Sequence, residues 1–580
     1  MRNSPSTKRW RVAEGNIRAE TLIQMELGVH PIVAKLLVTR GITSPEAAEA
    51  FLHPSLDSLS DPNLLPDAEV ACERIKKALS GKEKIWIHGD YDGDGVTSAA
   101  LWQRTLSSLK ADVEVFVPHR HRDGYDMRSE FIQRAAQGSV GLIITTDCGI
   151  RRIHEVNEAR ERGIDVIVTD HHLPGQDGEL PNAVAVVNPH REDSIYPYKN
   201  LAGVGVAFRL CDALVRHLGH NQESFQRHYL DLAAIGTLTD MMPLTEENRV
   251  IVYHGLKALQ QTKKVGLQEL MTVSGCRQRP VTSRDVGFEL GPRLNAAGRV
   301  QDSRIALELL LSKDSEDAAK LARKLNGWNQ ERRDTQRQVE MEALAAIESQ
   351  GMQNDYCIVA AQAGWHAGVV GLVAGRIVER YHRPCVLAAM DTETGQARAS
   401  ARSIMNFDIF EAISLCSSLL IEYGGHSHAA GLSMLTENLD DFRDQMNNIA
   451  RQKLTEEDLV PILEIDAETE LELICPQMLE QIESLAPFGQ ANPEPMFLSK
   501  HVRIREKKLM GTEKQHLKLL IDTPGLNGGV SDAIWWNQAH QGDELSSKTK
   551  IDICYQLQFN SFNSLKTIQF KIVDLHSSEN

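Results

Sequence analysis

The stretch that decides the fold is DVIVTDHH, residues 165–172. A short run of β-branched residues is typical of a buried strand, and one acid and two imidazoles follow at the point where this strand would end. Longer amphipathic segments separate the run from others of its kind, which alternate with it along the chain. This alternation predicts βαβ units and a parallel sheet. The other runs are KIWIHG (84–89), VEVFVP (113–118), GLIITT (141–146) and AVAVV (183–187).

Acids and imidazoles recur where four of the apolar runs end. Because ligands bind at the carboxyl ends of strands in an open parallel sheet, we expect these side chains to converge at one edge. A single Asp after a strand is more often the cap of the next helix, but four such positions favour a metal site. DYDGDG (90–95) could be a calcium loop, yet it lacks the Glu that closes an EF-hand loop. The side chains are His88, Asp90, Asp92 and Asp94 at the first run, Asp147 at the second, Asp170, His171 and His172 at the third, and Asp240 after LAAIGTLT (232–239).

Carboxylates and imidazoles without a thiolate favour Mn²⁺ or Mg²⁺ as the bound metal. Unpaired acids in one place would repel one another and raise one another's pKa, and a cation removes that repulsion. The candidate ligands suffice for two ions if one carboxylate bridges, and two ions about 3.5–4 Å apart commonly serve phosphoester hydrolysis. The residues therefore predict a two-metal phosphoesterase.

Composition indicates an ordinary intracellular globular protein. The 580 residues carry a net charge of −16, which by itself argues weakly against nucleic acid as a partner. The nine cysteines are scattered and form no CxxC pair, so neither a disulfide framework nor a zinc ribbon is expected. The sequence lacks an apolar stretch of membrane-spanning length and a secretory signal. We expect a cytoplasmic protein without a membrane partner.

The order of apolar runs predicts an α/β protein with five domains. A long connecting helix is expected at 315–349, weakened only at Gly327. A second α/β pattern follows from residue 356, and short β-like runs beyond 461 predict a small antiparallel barrel. The predicted ranges are a helical lead-in at 1–75, a catalytic parallel-sheet domain at 76–250, a helical region with the connecting helix at 251–350, a second α/β domain at 351–455, and a barrel at 460–580.

Several motifs together resemble one family. HGDYDGDG (88–95), TTDCG (145–149), VTDHHLP (168–174) and TLTDMMPL (237–244) are similar to the four motifs of the DHH phosphoesterase superfamily. Further motifs extend the resemblance, over roughly residues 10–575, to the bacterial RecJ family of single-strand-specific exonucleases. The resemblance implies a DHH domain, a DHHA1 domain and a C-terminal OB-fold. The further motifs are LAGVGVAFRL (201–210), GPRLNAAGR (291–299), WHAGVVGLVAGR (365–376), ASARSI (399–404) and GGHSHAAGL (424–432).

The resemblance also implies roles for individual residues. Asp147 matches a bridging carboxylate and His172 a residue near the scissile phosphate, while Asp170 would orient the imidazoles. Asp90 has no certain role and could only brace its loop. The implied metal ligands are His88, Asp92, Asp94, Asp147, His171 and Asp240.

The implied substrate is single-stranded DNA, degraded from the 5′ end to mononucleotides in recombination and repair. Arg120, Ser400 and Arg402 match residues that bind the 5′-terminal phosphate, which suits an Arg fork and a hydroxyl. A basic C-terminal segment precedes Trp535 and Trp536, and stacked aromatics suit single strands, although strand alternation puts one Trp in the core. The implied DNA-binding residues are Arg299, His366, Arg376, His426 and Trp535, with His426 in the stretch GGHSHAAG (424–431), which is expected to be a flexible loop.

Four positions depart from the family pattern. Asp126 and Met127 replace a Gly-Leu pair, which would add negative charge near the proposed 5′-phosphate pocket. Ala367 replaces a common Glu or Gln, and Gly93 replaces Ala or Val without expected harm.

Two other functions fit the metal site alone. A phosphodiesterase for cyclic dinucleotides or very short oligonucleotides is one, against which the length and the basic barrel argue. A non-catalytic nucleic-acid-binding scaffold is the other, against which the intact ligands argue. The resemblance implies a monomer, with a single-strand-binding protein and a RecQ-type helicase as partners.

Overall fold

The computed structural model describes residues 8–118, 126–175, 177–545, 550–562 and 565–578. Contacts divide the chain into two compact units. The larger unit contains Arg11–Pro292, Ala306–Ala319 and Glu464–Asn580, and the smaller one contains Met1–Trp10, Arg293–Ile305 and Lys320–Leu463.

The chain begins with a short strand and three helices. Side chains of Asn16 and Ser44 accept hydrogen bonds from Ala19 N and Ala47 N, which caps the first and third helices. The second and third helices start with a proline, whose missing N–H costs nothing there. The elements are β1 (Arg9–Val12), α1 (Ile17–Leu27), α2 (Pro31–Thr39) and α3 (Pro45–Leu52).

A five-stranded parallel sheet follows, which confirms the predicted βαβ pattern. Its strand order is β3-β2-β4-β5-β6, so the chain reverses direction across the sheet between β2 and β4. The carboxyl ends of strands at such a reversal form the usual ligand crevice of this architecture. The elements are α4 (Ala68–Gly81), β2 (Lys84–Gly89), α5 (Gly93–Ser108), β3 (Asp112–Phe116), α6 (Ser129–Gln137), β4 (Val140–Thr146), α7 (Ile153–Glu161), β5 (Asp165–Thr169) and β6 (Ala185–Val187).

Helices occupy the next part of the chain and correct one expectation. The apolar run 232–239 is the end of a helix, not a strand, and Asp240 is its C-cap. The run is buried on all sides, and such a segment lacks the polar face that distinguishes a helix from a strand. The elements are α8 (Gly203–His217), α9 (Gln222–Thr239), α10 (Glu246–Gln260), α11 (Val265–Val273), α12 (Ser283–Asp285), a π-helical turn (Val286–Leu290), α13 (Gly291–Val300), α14 (Arg304–Leu311) and α15 (Ser315–Gln350), which is the predicted long helix.

The smaller unit contains a mixed sheet of order β10-β11-β9-β8-β7. Strands β7 and β8 are parallel and joined by α16, whereas the other pairs are antiparallel. The stretch 424–431, expected as a flexible loop, is a hairpin of β10 and β11, in which Gly425 (φ +149°) pairs with Ala430. A Cβ on Gly425 would lie 2.4 Å from Ala429 O, so this close pairing requires glycine. The elements are β7 (Ile358–Ala363), α16 (Ala367–Tyr381), β8 (Cys385–Asp391), β9 (Gln396–Arg402), α17 (Ile409–Leu415), β10 (Leu420–His426), β11 (Ala429–Leu435) and α18 (Leu439–Lys453).

The C-terminal strands form the predicted barrel. The order β14-β15-β16-β18-β17 closes through a further pairing of β17 with β14. One pair, β16 with β18, is parallel, so the barrel is not antiparallel throughout. The elements are β12 (Ile462–Ile465), β13 (Ala467–Glu468), α19 (Pro476–Glu483), β14 (Phe497–Met510), β15 (His516–Thr523), β16 (Gly529–Trp535), β17 (Lys550–Phe562) and β18 (Leu565–Ser577).

One hydrophobic core joins the N-terminal helices to the barrel within the larger unit. Buried Ile23 and Leu37 belong to the same cluster as Met478 and Val502. A hydrogen bond from His30 N to Gln481 Oε1 (2.6 Å) adds a polar contact. The N-terminal segment is therefore part of the barrel's packing.

All nine cysteines are free, in agreement with the expectation of scattered thiols. Among the described residues, no helix combines the length and apolar character that a membrane crossing demands.

Candidate metal centre

The loop after β2 places three acids at the sheet edge. Asp92 Oδ1 accepts hydrogen bonds from Asp94 N (3.0 Å) and Gly95 N (3.1 Å), so this residue does cap α5. Asp90 is buried, and its Oδ1 accepts no hydrogen bond from any described residue. A buried carboxylate oxygen without a donor is costly, and a cation is the partner that would satisfy it.

The N-terminus of α8 holds Asp94. Its two oxygens accept hydrogen bonds from Gly203 N (2.7 Å) and Val204 N (2.8 Å). The positive end of a helix is a favourable place for a carboxylate. A Cβ on Gly203 would lie 2.5 Å from Asp147 Oδ1, and one on Gly236 would lie 2.7 Å from Asp94 Oδ1. Two glycines therefore give these acids their room.

Asp147 follows β4 in a left-handed conformation (φ 62°). Its amide donates to Thr169 O (3.0 Å), which ties it to the end of the neighbouring strand β5. Its Oδ1 is buried and lies 3.1 Å from His171 Nε2 without forming a hydrogen bond with any described residue. This spacing suits two ligands of a common ion.

Asp170 braces the histidine pair. Its Oδ1 accepts from His172 Nδ1 (2.8 Å) and from His171 N (2.8 Å), and its Oδ2 accepts from Ile150 N (3.0 Å). Burial opposes the charge of Asp170, but its hydrogen bond with His172 and that imidazole's charge lower its pKa to about 2. Burial likewise opposes the charge of His172, and the bond to Asp170 outweighs it and raises the pKa of His172 to about 9. The pair is an imidazolium held by a carboxylate.

His171, unlike His172, is a neutral imidazole. Burial, followed by the charge of His172, lowers its pKa to about 3. Its Nε2 lies 3.7 Å from Asp240 Oδ2. A neutral imidazole with carboxylates on two sides is suited to metal ligation.

Burial, reinforced by mutual repulsion, raises the pKa values of the acids. Burial, followed by the charge of Asp92, raises the pKa of Asp90 well above its usual value and that of Asp94 to about 7. Burial, followed by the charge of Asp94, raises the pKa of Asp147 and of Asp240 well above the usual value. Such acids hold their charges together only beside a cation.

Three groups of side chains in the described part of the chain can each hold a metal ion. Within a group, the ligand atoms lie within 4.8 Å of one another. Asp147 and His171 each belong to two groups, so neighbouring ions could share them. The oxygen and nitrogen donors, without thiolate, fit Mn²⁺ or Mg²⁺. The groups are Asp147, His171 and His172; Asp94, His171 and Asp240; and Asp90, Asp92 and Asp147.

His88 is the predicted ligand that the structure leaves out of these groups. Its Nδ1 lies 3.6 Å from Cys148 Sγ, and its ring meets Phe131 edge-on at 4.6 Å. Side chains alternate along a strand, and the one at 88 points into this aromatic pocket. Burial lowers the pKa of His88 to about 4. In the structure His88 packs among these side chains, its assignment as a metal ligand stays a prediction, and Asp90 joins the grouped acids.

Asp126, the departure from the family pattern, is buried and paired. Its Oδ2 lies 2.8 Å from Arg152 Nε, and its Oδ1 accepts from Met127 N (2.7 Å). Its φ of 66° explains why glycine also suits this position. The carboxylate is thus neutralised.

Arg120, predicted to bind the 5′ phosphate, lies outside the described residues.

In the smaller unit, Ser400 and Arg402 lie on one face of β9. Alternate residues Ala399 and Ala401 face the hydrophobic core, which leaves the two polar side chains beside α16. A Cβ on Gly371 of α16 would lie 3.2 Å from Ser400 Oγ and 3.3 Å from Arg402 Nη2. The glycine allows the helix to approach the polar pair.

The other predicted DNA-binding residues of this unit have structural partners. His366 Nδ1 caps α16 by accepting from Gly368 N (3.0 Å), and Arg299 Nη1 donates to Gly368 O (3.4 Å). Arg376 pairs with Glu340 (2.5 Å), both partly exposed. His426 is exposed at the tip of the β10–β11 hairpin.

The barrel corrects the choice of tryptophan. Trp535 is only 7% exposed and belongs to the barrel core, whereas Trp536 is 44% exposed and meets His516 edge-on at 4.6 Å. Because a stacked base needs an open ring face, Trp535 is not a stacking residue. Several of the nearby basic side chains are paired with acids or carbonyls: Lys500 with Glu468, Arg505 with Asp522, Lys518 with Asp532, and Lys507 with Gly542 O and Leu545 O.

Sequence reasoning missed two residues behind the histidines. Asn188 is fully buried and donates from Nδ2 to His172 O (2.8 Å). His190 donates from Nδ1 to His171 O (2.7 Å). Both follow β6, so the rule that found the other acids and imidazoles, which lie at strand ends, could have found them too.

Comparisons with known proteins agree with this architecture. Profiles of three families match the chain: the DHH family, N-terminal domain, at residues 84–237, the DHHA1 domain at 354–452, and the RecJ OB domain at 465–574. The single-stranded-DNA-specific exonuclease RecJ of Bacillus subtilis is 38% identical over 574 residues, covering 99% of this chain and 71% of the relative. RecJ of Dickeya dadantii is 35% identical over 561 residues, covering 94% and 96%.

A solved structure gives the same result. The crystal structure of RecJ from Thermus thermophilus in complex with Mn²⁺ superposes with a TM-score of 0.84 at 30% identity, covering 99% of this chain and 80% of that one. With a DHH domain, a DHHA1 domain, an OB-fold and near full-length relatives at this identity, the chain belongs to the RecJ family of single-stranded-DNA-specific exonucleases.

Proposed function

We propose that this chain is a metal-dependent exonuclease that degrades single-stranded DNA from the 5′ end and releases 5′-mononucleotides, in DNA recombination and repair. The observation that carries the proposal is the cluster of buried acids and imidazoles at the sheet edge, in which Asp147 and His171 each serve two ligand groups. The Mn²⁺-bound relative from Thermus thermophilus supports a divalent cation as the cofactor.

The metal ligands we propose are the acids and His171 of these groups, whereas His172, which also belongs to one of them, is placed on the phosphate side. Bound Mn²⁺ or Mg²⁺ would lower the pKa of a coordinated water and offset charge on the phosphate. The side chains supply the rest: Asp170 holds His172 as a cation, and that cation is placed to stabilise charge on the phosphate oxygens. The proposed ligands are Asp90, Asp92, Asp94, Asp147, His171 and Asp240.

For binding of the DNA, we propose Ser400 and Arg402 as phosphate ligands, because a hydroxyl and a guanidinium on one strand face suit a terminal phosphate. Arg120 remains a predicted third ligand. Trp536 replaces Trp535 as the candidate for stacking on a base. Four residues remain candidates for contacts with the DNA backbone: Arg299, His366, Arg376 and His426. To bind a phosphate, Arg376 would leave its ion pair with Glu340.

The cellular setting is a further part of the proposal. We propose a cytoplasmic monomer that works with a single-strand-binding protein and a RecQ-type helicase. The five predicted domain ranges are proposed as well, and limited proteolysis tests them because cleavage favours exposed linkers. Light scattering of the purified chain tests the monomer.

Digestion of end-labelled oligonucleotides tests the activity. A single strand labelled at its 3′ end should shorten stepwise in Mn²⁺, whereas a 5′ label should appear at once as a mononucleotide. A blunt duplex of the same sequence should persist, and EDTA should stop the reaction.

Two results would contradict the proposal. Equal shortening from both ends would reject the polarity. Rapid cleavage of a dinucleotide with no cleavage of the long strand would instead favour a small-substrate phosphodiesterase.

A further inference from the structure

A second polar cavity lies in the larger unit, away from the metal centre. Its volume is about 450 Å³, within the usual range of about 300–1,000 Å³ for small-molecule sites. Its walls come from the C-terminal part of α5, the middle of α9, the α10–α11 connection and the segment after α14. The charged lining residues are Arg104, Arg227, Asp231, Lys263, Lys264 and Lys313.

The cavity is strongly cationic. Five lysine and arginine side chains line it, against one carboxylate, Asp231. The chain as a whole has 79 acids and 63 bases, so such an excess of positive charge is unusual for this molecule. Like charges around one concave space repel one another unless an anion lies between them.

The carboxylate of the cavity, Asp231, is already paired with a lysine of the lining. Lys264 Nζ lies 2.9 Å from both oxygens of Asp231, and both side chains are almost fully buried. Thr262 Oγ1 donates to Asp231 Oδ2 as well (2.7 Å). The acid is therefore already neutralised by Lys264, and it does not balance the charge of the other four cations.

Those four cations have little else to bind. Lys263 and Lys313 are exposed and form no hydrogen bond or ion pair with any residue that the structure describes. Among the described residues, Arg227 pairs with Glu223 alone, one helical turn away, and both side chains are mostly exposed to solvent. Arg104 uses Nε and Nη2 on Leu310 O, which leaves Nη1 available.

Helix α11 adds to the positive character. It starts at the cavity with Val265, and no side chain caps its first turn. The unpaired N–H groups of a helix start attract anions.

We propose that this cavity binds a phosphate-bearing anion. Arginine and lysine around a helix start is the chemistry that recognises phosphate groups, either of a nucleotide-sized ligand or of a nucleic-acid backbone. The proposal goes beyond the proposed function, because none of these residues belongs to the metal centre.

The cavity shares two helices with the metal centre. Arg104 follows Asp94 on α5 by about 15 Å at 1.5 Å per residue. Asp231 precedes Asp240 on α9 by about 13.5 Å. A ligand at one end of these helices is thus held by the same rigid elements that carry two proposed metal ligands.

Titration calorimetry of the full chain with inorganic pyrophosphate, in EDTA and a phosphate-free buffer, tests the proposal. The double variant K263E/K313E should weaken binding roughly tenfold or more. K77E/K82E is the matched control, with the same change of charge at two other surface lysines, and its affinity should stay within about twofold of the unmodified chain. Circular dichroism verifies that both variants fold.

A second titration, with a short phosphorothioate single strand, distinguishes the sources of the phosphate. A loss specific to K263E/K313E with the oligonucleotide supports a nucleic-acid backbone, and a loss seen only with pyrophosphate supports a small ligand. Absence of pyrophosphate and oligonucleotide binding, or equal weakening in both double variants, overturns the proposal. Because EDTA removes the divalent metals, these outcomes do not depend on nuclease activity.

Discussion

Asp147 is the residue on which the two sides of the metal centre depend, because it belongs to one group with the histidines and to another with Asp90 and Asp92. We predict that Asp147→Asn lowers the rate of single-strand digestion at least about 100-fold, the loss typical of removing one electrostatic contact in an active site. The amide keeps the shape of the side chain but not its charge, so Mn²⁺ affinity should fall as well. Digestion rates measured across a Mn²⁺ titration check both effects.

The control for this variant is Asp193→Asn, an exposed acid paired with Arg191. It should digest DNA at the normal rate. Normal digestion by Asp147→Asn would remove that residue from the proposed site.

Asp126 makes its contribution through Arg152 and not through the substrate. Because the buried carboxylate forms an ion pair with Arg152, we predict that Asp126→Asn lowers the free energy of unfolding by about 1 kcal/mol, the value of an ion pair with one partly exposed partner. Asparagine tolerates the positive φ, so this variant isolates the ion pair from backbone strain. Urea unfolding of Asp126→Asn, Arg152→Gln and the double variant measures the coupling. Additive losses would show that the pair contributes nothing.

At the scale of elements, the start of α8 packs closely against the acids of the metal centre. We predict that Gly203→Ala lowers Mn²⁺ affinity and activity at least about 10-fold, since its Cβ would lie 2.5 Å from Asp147 Oδ1 and the carboxylate would have to move. Gly205→Ala, on the same helix, meets only the Leu201 side chain at 3.3 Å and is the control. Isothermal titration with Mn²⁺ compares the two. Equal affinities would mean that the acids reposition freely.

The contact of α16 with β9 gives a second matched pair. Gly371→Ala should weaken binding of a 5′-phosphorylated strand by roughly 3- to 10-fold, about 1 kcal/mol, because the new methyl group meets Ser400 and Arg402. Gly375→Ala, one turn further, has open space around it and should instead stabilise the helix by about 0.5–1 kcal/mol. Fluorescence anisotropy with and without the 5′ phosphate measures strand binding, and thermal melting measures the stability of each variant. Weaker binding by Gly375→Ala alone would contradict this contact.

How far sequence reasoning reached differs from element to element. Strand β5 is a short β-branched run and helix α15 a long segment without proline, and both lie where the pattern predicts them. The run before Asp240 resembles a strand because it is apolar on every side, and only its packing in α9 reveals a helix. Sequence reasoning misjudges Trp535 because this residue lies on a strand, where the direction of a side chain follows from the pleat, which motif matching does not read.

For the whole molecule, the metal centre links stability to metal. Four acids with raised pKa values repel one another in the metal-free larger unit, so Mn²⁺ should raise its melting temperature. Free Mn²⁺ at 100 times its dissociation constant would stabilise by about 2.7 kcal/mol. Calorimetric scans with EDTA and with Mn²⁺ measure the shift, and Asp147→Asn should reduce it. An unchanged melting temperature would contradict metal binding by the folded chain.

The core shared by the N-terminal helices and the barrel has a consequence for synthesis on the ribosome. His30 and its partner Gln481 are 451 residues apart in the chain. At about 5–20 residues per second, helices α1–α3 wait roughly 20–90 s before the segment that covers them has been translated. During that interval their apolar faces are open to chaperones, and a truncated chain that stops before the barrel leaves them without a partner. Helices α1–α3 are therefore synthesised first but complete their packing only when the barrel has been made.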